Sequence, residues 1–133
     1  MTYDEKIKFL RGYLTAESNI EAYQKQIERM RESMMPSSPK ISDIPKHPNY
    51  DDPMAKYAGE FWEVSKKIEK AHQRQLAVVG VINSIAESDP DGHLVLTYQY
   101  IVGMRKKDIE LDMGIGRMTR QRMHRRAVEE LKI

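Results

Sequence analysis

Two long stretches of this chain repeat apolar residues at alternating spacings of three and four positions, and this pattern restricts the possible folds more than any other feature. Such a period predicts long helices that pack along a seam. In the first stretch the stripe comprises Phe9, Tyr13, Ala16, Ile20, Tyr23, Ile27, Met30 and Met34. In the second stretch it comprises Met54, Tyr57, Phe61, Val64, Ile68, Ala71, Gln75, Val78, Ile82 and Ile85. Because a lone helix leaves its stripe in water, each helix needs a partner.

The segment between the two stretches is rich in proline and interrupts the helical pattern. Residues 36–53 hold five of the six prolines of the chain, and proline removes a backbone donor and disfavours helix in the residue before it. We therefore assign residues 35–53 to a linker, in which Asp52 caps the second helix and Pro53 opens its first turn. A linker of this length lets the helices fold back as an antiparallel hairpin or join helices of a second chain. The sequence leaves both arrangements open.

A second break, the turn-forming run from Ser88 to Gly92, separates the long helices from a different pattern. Beyond it, the spacing of apolar residues predicts three short helices, over residues 94–101, 105–113 and 119–131. Gly103 ends the first of them, and the glycines at 114 and 116 provide a tight turn between the other two. Three short helices of which the last is basic are typical of a helix-turn-helix domain.

Together these patterns predict an all-α chain in two parts. Residues 1–88 form a long antiparallel helical hairpin of the coiled-coil type, and residues 89–133 form a small C-terminal helix-turn-helix domain. Because fewer than about 50 residues rarely form a stable core, we expect the second part alone to be monomeric and marginally stable.

The two seams are wide and apolar, so we expect the hairpin to carry a homo-oligomer, a dimer or larger. Gln75 is the polar member of the second seam, where it either sets the register or the oligomeric state or marks a frayed position. The candidate oligomer contacts are Tyr13, Ile20, Tyr23, Ile27, Tyr57, Phe61, Val64, Ile68 and Gln75.

The charge distribution indicates a polyanionic partner. Residues 91–133 carry nine basic and six acidic side chains, and residues 114–128 hold five arginines and no acid. A basic block of this density at one end of a chain favours binding to nucleic acid, most simply double-stranded DNA.

Residues 94–131 resemble the fourth region of bacterial sigma factors, and more closely the RinA/ArpU-type late transcription regulators of phages. The matching motifs are YIVGM at 100–104, Asp108-Ile109, Met113-Gly114-Ile115, and His124 followed by AVEEL at 127–131. The N-terminal part is similar to the same group, which has a charged helix, a Pro/Ser linker and a second long helix. The resemblance implies a sequence-specific DNA-binding regulator of late genes of a phage or mobile element. Its setting would be the cytoplasm of a bacterial host, with contact to host RNA polymerase.

Three positions depart from the pattern of that family. Glu110 stands where the family has a small residue, Gly116 stands where Ser or Thr opens the recognition helix, and Arg120 replaces a Val. We interpret the change as a helix that begins later, with Thr119 as its cap and Met118 filling the space left by the Val.

The periodicity of the last helix separates an inner from an outer face. With Met123, Ala127 and Leu131 inward, the outer face presents Gln and Arg, which read adenine and guanine in the major groove. Three cations at the start of the preceding helix oppose its dipole, a cost that a nearby phosphate would offset. The DNA-binding candidates are Arg105, Lys106, Lys107, Arg117, Thr119, Arg120, Gln121, Arg122, Arg125 and Arg126.

Other functional classes find little support in the sequence. The chain has no cysteine, its four histidines share no ligand spacing, and it shows no pair of nucleophile and base. We therefore expect neither an enzyme nor a cofactor. No long apolar segment or signal core is present, so we expect no membrane association and a cytoplasmic location.

Two alternative functions stay open. One is a DNA-packaging adaptor similar to small terminase subunits, which ring-shaped assembly would favour. The other is a helical protein-interaction or antirepressor protein, which a failure to bind any duplex at low salt would favour.

Overall fold

A computed structural model describes residues 1–34 and 53–133, and all regular structure in these residues is helical. The predicted linker up to residue 52, with its Asp52 cap, lies outside the described residues. The helices are α1 (Tyr3–Met34), α2 (Pro53–Asn83), α3 (Pro90–Leu96), α4 (Lys106–Met113) and α5 (Arg117–Glu130). A π-helical segment (Thr97–Val102) continues α3. Among the described helices, none combines the length and the apolar character that crossing a membrane requires.

Helices α1 and α2 pack against each other in antiparallel directions, which is the hairpin of the two arrangements that the sequence left open. The side-chain amide of Gln75 donates to the carbonyl oxygen of Tyr13 at 3.5 Å, and Lys67 Nζ lies 6.0 Å from the ring centroid of Tyr23. A later residue of α1 therefore contacts an earlier residue of α2, as in an antiparallel pair. This geometry lets each stripe cover the other along most of its length.

Some of the residues that the sequence analysis assigned to contacts between chains lie instead in the seam between α1 and α2 of one chain. Ile20, Val64 and Gln75 are buried within the chain, so their assignment as oligomer contacts is wrong. Gln75 Nε2 donates to Glu17 Oε2 at 2.5 Å, and this bond satisfies the polar group inside the pair of helices. The other six candidates are half-buried, namely Tyr13, Tyr23, Ile27, Tyr57, Phe61 and Ile68.

One apolar core joins the ends of the long helices to the short ones. Its side chains from the N-terminal part are Leu10, Val78, Ile82 and Ile85, and those from the C-terminal part are Leu96, Tyr100, Ala127, Val128 and Leu131. The core therefore crosses the predicted boundary between residues 88 and 89. The C-terminal helices depend on α1 and α2 for part of their buried surface.

The first turns of α1 also hold the end of α5. Lys6 Nζ donates to the backbone carbonyls of Leu131 at 2.7 Å and Glu129 at 3.2 Å. These carbonyls have no partner within the helix, and a cation beside them is favourable for the helix dipole. The terminal amine of Met1 donates to the carbonyl of Ile133 at 3.2 Å. The first residues of α1 thus fix where α5 ends.

Candidate nucleic-acid interface

Helices α4 and α5 are joined by a three-residue turn, residues 114–116, in which Gly114 has a positive φ. Gly114 closes α4 in the left-handed conformation, with φ of 65°, which a residue with a Cβ adopts only at a cost. The amide of Ile115 donates back to the carbonyl of Glu110 at 3.0 Å. The short turn places the start of α5 directly beside α4.

Helix α5 begins earlier than the sequence predicted. Gly116 is extended (φ −85°, ψ 170°) at the N-cap and supplies no side-chain bond, while its carbonyl accepts from the amide of Arg120 at 3.0 Å. Helical bonding therefore starts two residues before Thr119, and the assignment of Thr119 as the cap is wrong. Met118 is 68% exposed, so it fills no space in the interior.

Arg120 points into the molecule and not toward a ligand. Its side chain is buried, and Nε lies 2.9 Å from Oε1 of Glu110 on α4. Its assignment as a DNA contact is therefore corrected. Glu110 and Arg120 are thus each other's partners, and their opposite charges balance between α4 and α5.

The outer face of α5 is exposed and basic. Gln121, Arg122 and Arg125 are exposed to solvent, as predicted, while Ala127 and Val128 on the same helix are buried in the core. Exposed side chains also include Arg117 and Thr119 in the first turn, which contains no acid. Arg125 Nε pairs with Glu129 at 3.1 Å, and both side chains stay more than half exposed. This face can offer several donors at once to a polyanion.

The predicted phosphate contacts fall into two groups. Arg105 is the N-cap residue of α4, and Lys106 and Lys107 follow in its first turn, all of them exposed. Arg126 lies apart from these, because its Nη2 is 3.1 Å from Oδ1 of Asp89. That carboxylate also caps α3 by accepting from the amide of Gly92 at 3.0 Å. Arg126 is thus partly neutralised within the chain, although 65% of its side chain is exposed.

A cavity of about 430 Å³ opens beside the outer face of α5, and four of its nine lining residues are Lys or Arg. It is lined by Tyr3, Gln99, Lys106, Met118, Arg120, Gln121, Arg122, His124 and Arg125. The Oε1 atom of Gln99 is buried here and has no hydrogen-bond partner among the described residues. The candidate interface therefore combines a concave surface with exposed basic side chains beside it.

His124 fixes α5 against two other elements, a role that the sequence analysis missed. Its Nε2 lies 2.7 Å from the hydroxyl of Tyr100, and its Nδ1 lies 3.3 Å from the hydroxyl of Tyr3. Burial, followed by the positive charges of Arg120 and Lys106, lowers the pKa of His124 to about 4. Burial chiefly raises the pKa of Tyr100 to about 12. Both rings are therefore neutral near pH 7, and one ring nitrogen donates while the other accepts.

Comparison of the chain with protein families, curated proteins and solved structures gives no match.

Proposed function

We propose that this chain is a sequence-specific transcription regulator that binds double-stranded DNA through α4 and α5. In this proposal α4 is the scaffold helix and α5 the recognition helix of a helix-turn-helix. The observation that carries the proposal is the outer face of α5, where Gln121, Arg122 and Arg125 are exposed together while the opposite face is anchored in the core.

The side chains on this face have the chemistry of base readout. A major groove admits one α-helix, and Arg pairs with the O6 and N7 of guanine through two parallel hydrogen bonds. Gln forms the equivalent pair with adenine. An α5 that enters the groove by its first three turns would present Gln121, Arg122 and Arg125 to base edges, with Arg117 near the backbone.

The start of α4 has the chemistry of backbone contact. Arg105, Lys106 and Lys107 lie next to one another at its N-terminal end and are exposed. Cations in that position oppose the helix dipole, and a phosphate between them removes the conflict. Arg126 contributes less to this group because Asp89 already balances part of its charge.

The biological setting of the proposal comes from the resemblance to RinA/ArpU-type regulators. In this proposal the protein acts in the cytoplasm of a bacterial host and controls late genes of a phage or mobile element. Contact with host RNA polymerase is part of the same proposal, because sigma region four binds the polymerase as well as DNA.

A salt titration on two duplexes tests the proposal, using a duplex selected from random DNA and a scrambled version of it. Arg122→Ala should weaken binding to the selected duplex by about 1–3 kcal/mol and reduce the preference at one base pair. Lys107→Ala should weaken binding to both duplexes alike and lower the slope of log affinity against log salt by about one.

Matched controls are Arg29→Ala and Lys25→Ala, which remove the same side chains from the exposed surface of α1. Neither control should change affinity for the selected duplex beyond the small effect of net charge. Equal losses on both duplexes for Arg122→Ala and Lys107→Ala would contradict the recognition role of α5. Failure of the unmodified chain to bind any duplex at low salt would favour the interaction-protein alternative.

A further inference from the structure

A seven-residue segment near the end of α2 is apolar on every side of the helix. Residues 76–82 read LAVVGVI, and seven consecutive residues cover nearly two full turns. Val78 and Ile82 face the core and are fully buried, whereas Leu76 on the other side is 71% exposed. A helix that is apolar all round is normally covered all round. The structure covers only one side of this segment.

The uncovered side forms the floor of a groove of about 660 Å³. Gly80 is one of the residues that line it, and a Cβ added to Gly80 would meet nothing within 4 Å. The groove is lined by Leu76, Ala77, Gly80, Val81, Ser84, Ile85, Ser88, Glu130 and Lys132. We call this set the α2 groove.

The α2 groove has a balanced pair of charges on one wall. Glu130 and Lys132 are both exposed and carry opposite signs. An acidic or a basic partner would match one of them and oppose the other. A second copy related by a two-fold axis brings each acid toward the base of the other copy, so that both charges find a partner.

We propose that the α2 groove is a homodimer interface, in which α2 of one copy packs across α2 of a second copy near Gly80. The absence of a Cβ at the crossing lets two helix axes approach to the short end of the usual range of about 8–10 Å. Leu76, Ala77 and Val81 then bury against their equivalents. The contact replaces the α1–α2 seam as the oligomerisation surface, and it does not rest on the proposed DNA binding.

A glutamate at Gly80 tests the interface without harm to the single chain. Because the space around Gly80 is open, Gly80→Glu adds no clash within the protomer and replaces the poorest helix former except proline. It buries a charge at the proposed crossing, so we expect the dimer Kd measured by sedimentation equilibrium to rise about tenfold or more. The matched control is Gly59→Glu, because Gly59 is equally open on the same helix but lies far from the groove. It should leave the Kd unchanged.

A charge exchange distinguishes a second copy from any other partner. Glu130→Lys and Lys132→Glu should each weaken the dimer, because each places like charges across the two-fold axis. The double variant restores opposite charges and should recover most of the affinity. The matched control is Glu60→Lys, which reverses an exposed acid on α2 that does not line the groove, and it should leave the dimer intact.

Three results would overturn the proposal. They are a monomeric unmodified chain, a ring of many subunits, or equal effects of the two glycine substitutions. The same variants test the dimer proposal and the DNA-binding proposal independently. If Gly80→Glu dissociates the dimer but still binds a half-site duplex, the dimer and the DNA surface are both supported. If no variant binds DNA and the dimer behaves as described, only the proposed function fails.

Discussion

Arg120 and Glu110 form an ion pair between α4 and α5 in which Arg120 is 4% exposed. Removing two charges from water costs free energy that their attraction offsets only in part. The pair therefore contributes little net stability compared with apolar side chains of similar size. Loss of one partner is different, because it leaves a buried charge without compensation.

We predict that Glu110→Ala lowers the free energy of unfolding by about 3 kcal/mol, because it leaves the buried guanidinium of Arg120 without its carboxylate partner. The double variant Glu110→Ala/Arg120→Val should recover most of that loss or exceed the stability of the unmodified chain. Urea unfolding followed by circular dichroism measures both values.

Arg122→Ala is the matched control for this prediction, since it removes an exposed arginine two positions further along α5. Its effect on unfolding should stay within about 0.5 kcal/mol, as is usual for exposed positions. A double variant as unstable as Glu110→Ala alone would show that the pair stabilises the turn in a way that apolar packing cannot replace.

At the level of elements, α5 is held in place by a contact among three segments. His124 on α5 meets Tyr3 on α1 and Tyr100 on the π-helical segment. Arg125 adds a contact from α5 to α1, with its guanidinium carbon 5.2 Å from the ring centroid of Tyr3. The orientation of the candidate recognition helix is therefore set partly by the first turn of the chain's first helix.

We predict that the free energy of unfolding falls as the pH drops from 6.5 to 4, because His124 is protonated over this range in the unfolded chain before it is protonated in the folded chain. The pKa of His124 is about 4 in the folded chain against 6.5 for a free ring, so between these values the unfolded state binds a proton that the folded state excludes. The contribution is fully present above pH 6.5 and is lost toward pH 4. We expect a loss of about 1–2 kcal/mol, less than the whole pKa difference implies, because the ring is partly accessible to water.

The variant His124→Gln isolates this effect, because it retains hydrogen-bonding groups but does not titrate. Its free energy of unfolding should vary less with pH between 6.5 and 4 than that of the unmodified chain. NMR titration of the His124 ring measures the pKa itself. Identical pH profiles for the two chains, or a ring that titrates near 6.5, would contradict the prediction.

The sequence predicted the pairing of α1 with α2 because a 3-4 spacing is a local signal that persists over many turns. It did not predict the start of α5, since Thr119 has a strong capping preference while the real start is set by Gly116 in the turn. Nor could it assign Arg120 or Gln75, because each is satisfied by a residue outside the pattern, Glu110 and Glu17. Local composition does not encode such distant partners.

The exposed face of α5 was predictable for the same reason that the seams were. The inward spacing of Ala127 and Leu131 fixes which side faces water, and Arg122 and Arg125 follow from it. The π-helical segment from Thr97 to Val102 gave no signal in the sequence, because its extra residue per turn follows from packing. The packing of Tyr100 against His124 depends on that segment and was missed with it.

On the scale of the whole molecule, the shared core makes the two predicted parts dependent on each other. Leu96, Tyr100 and Val128 pack in the same cluster as Leu10 and Ile82. A short helical fragment that loses such a face is left with too little buried apolar surface to offset its chain entropy.

We predict that a fragment of residues 89–133 is largely unfolded by circular dichroism when alone. Fragment 1–88 retains the α1–α2 seam and the α2 groove floor, and we expect it to stay helical and self-associating. Mixing the fragments should restore helix in the shorter one, because Leu10, Val78 and Ile82 then cover its apolar face. A cooperatively folded 89–133 fragment would mean that the shared core is not needed.

The contacts between Lys6 and the end of α5 have a consequence for synthesis. Their partners are separated by 123 and 125 positions in sequence, so they cannot form until almost the entire described chain has left the ribosome. Helix α1 is synthesised before α2 and α5, which cover its apolar stripe and its first turn. It is thus among the last of the described helices to reach its native environment, and its apolar surface is exposed to other nascent chains until then.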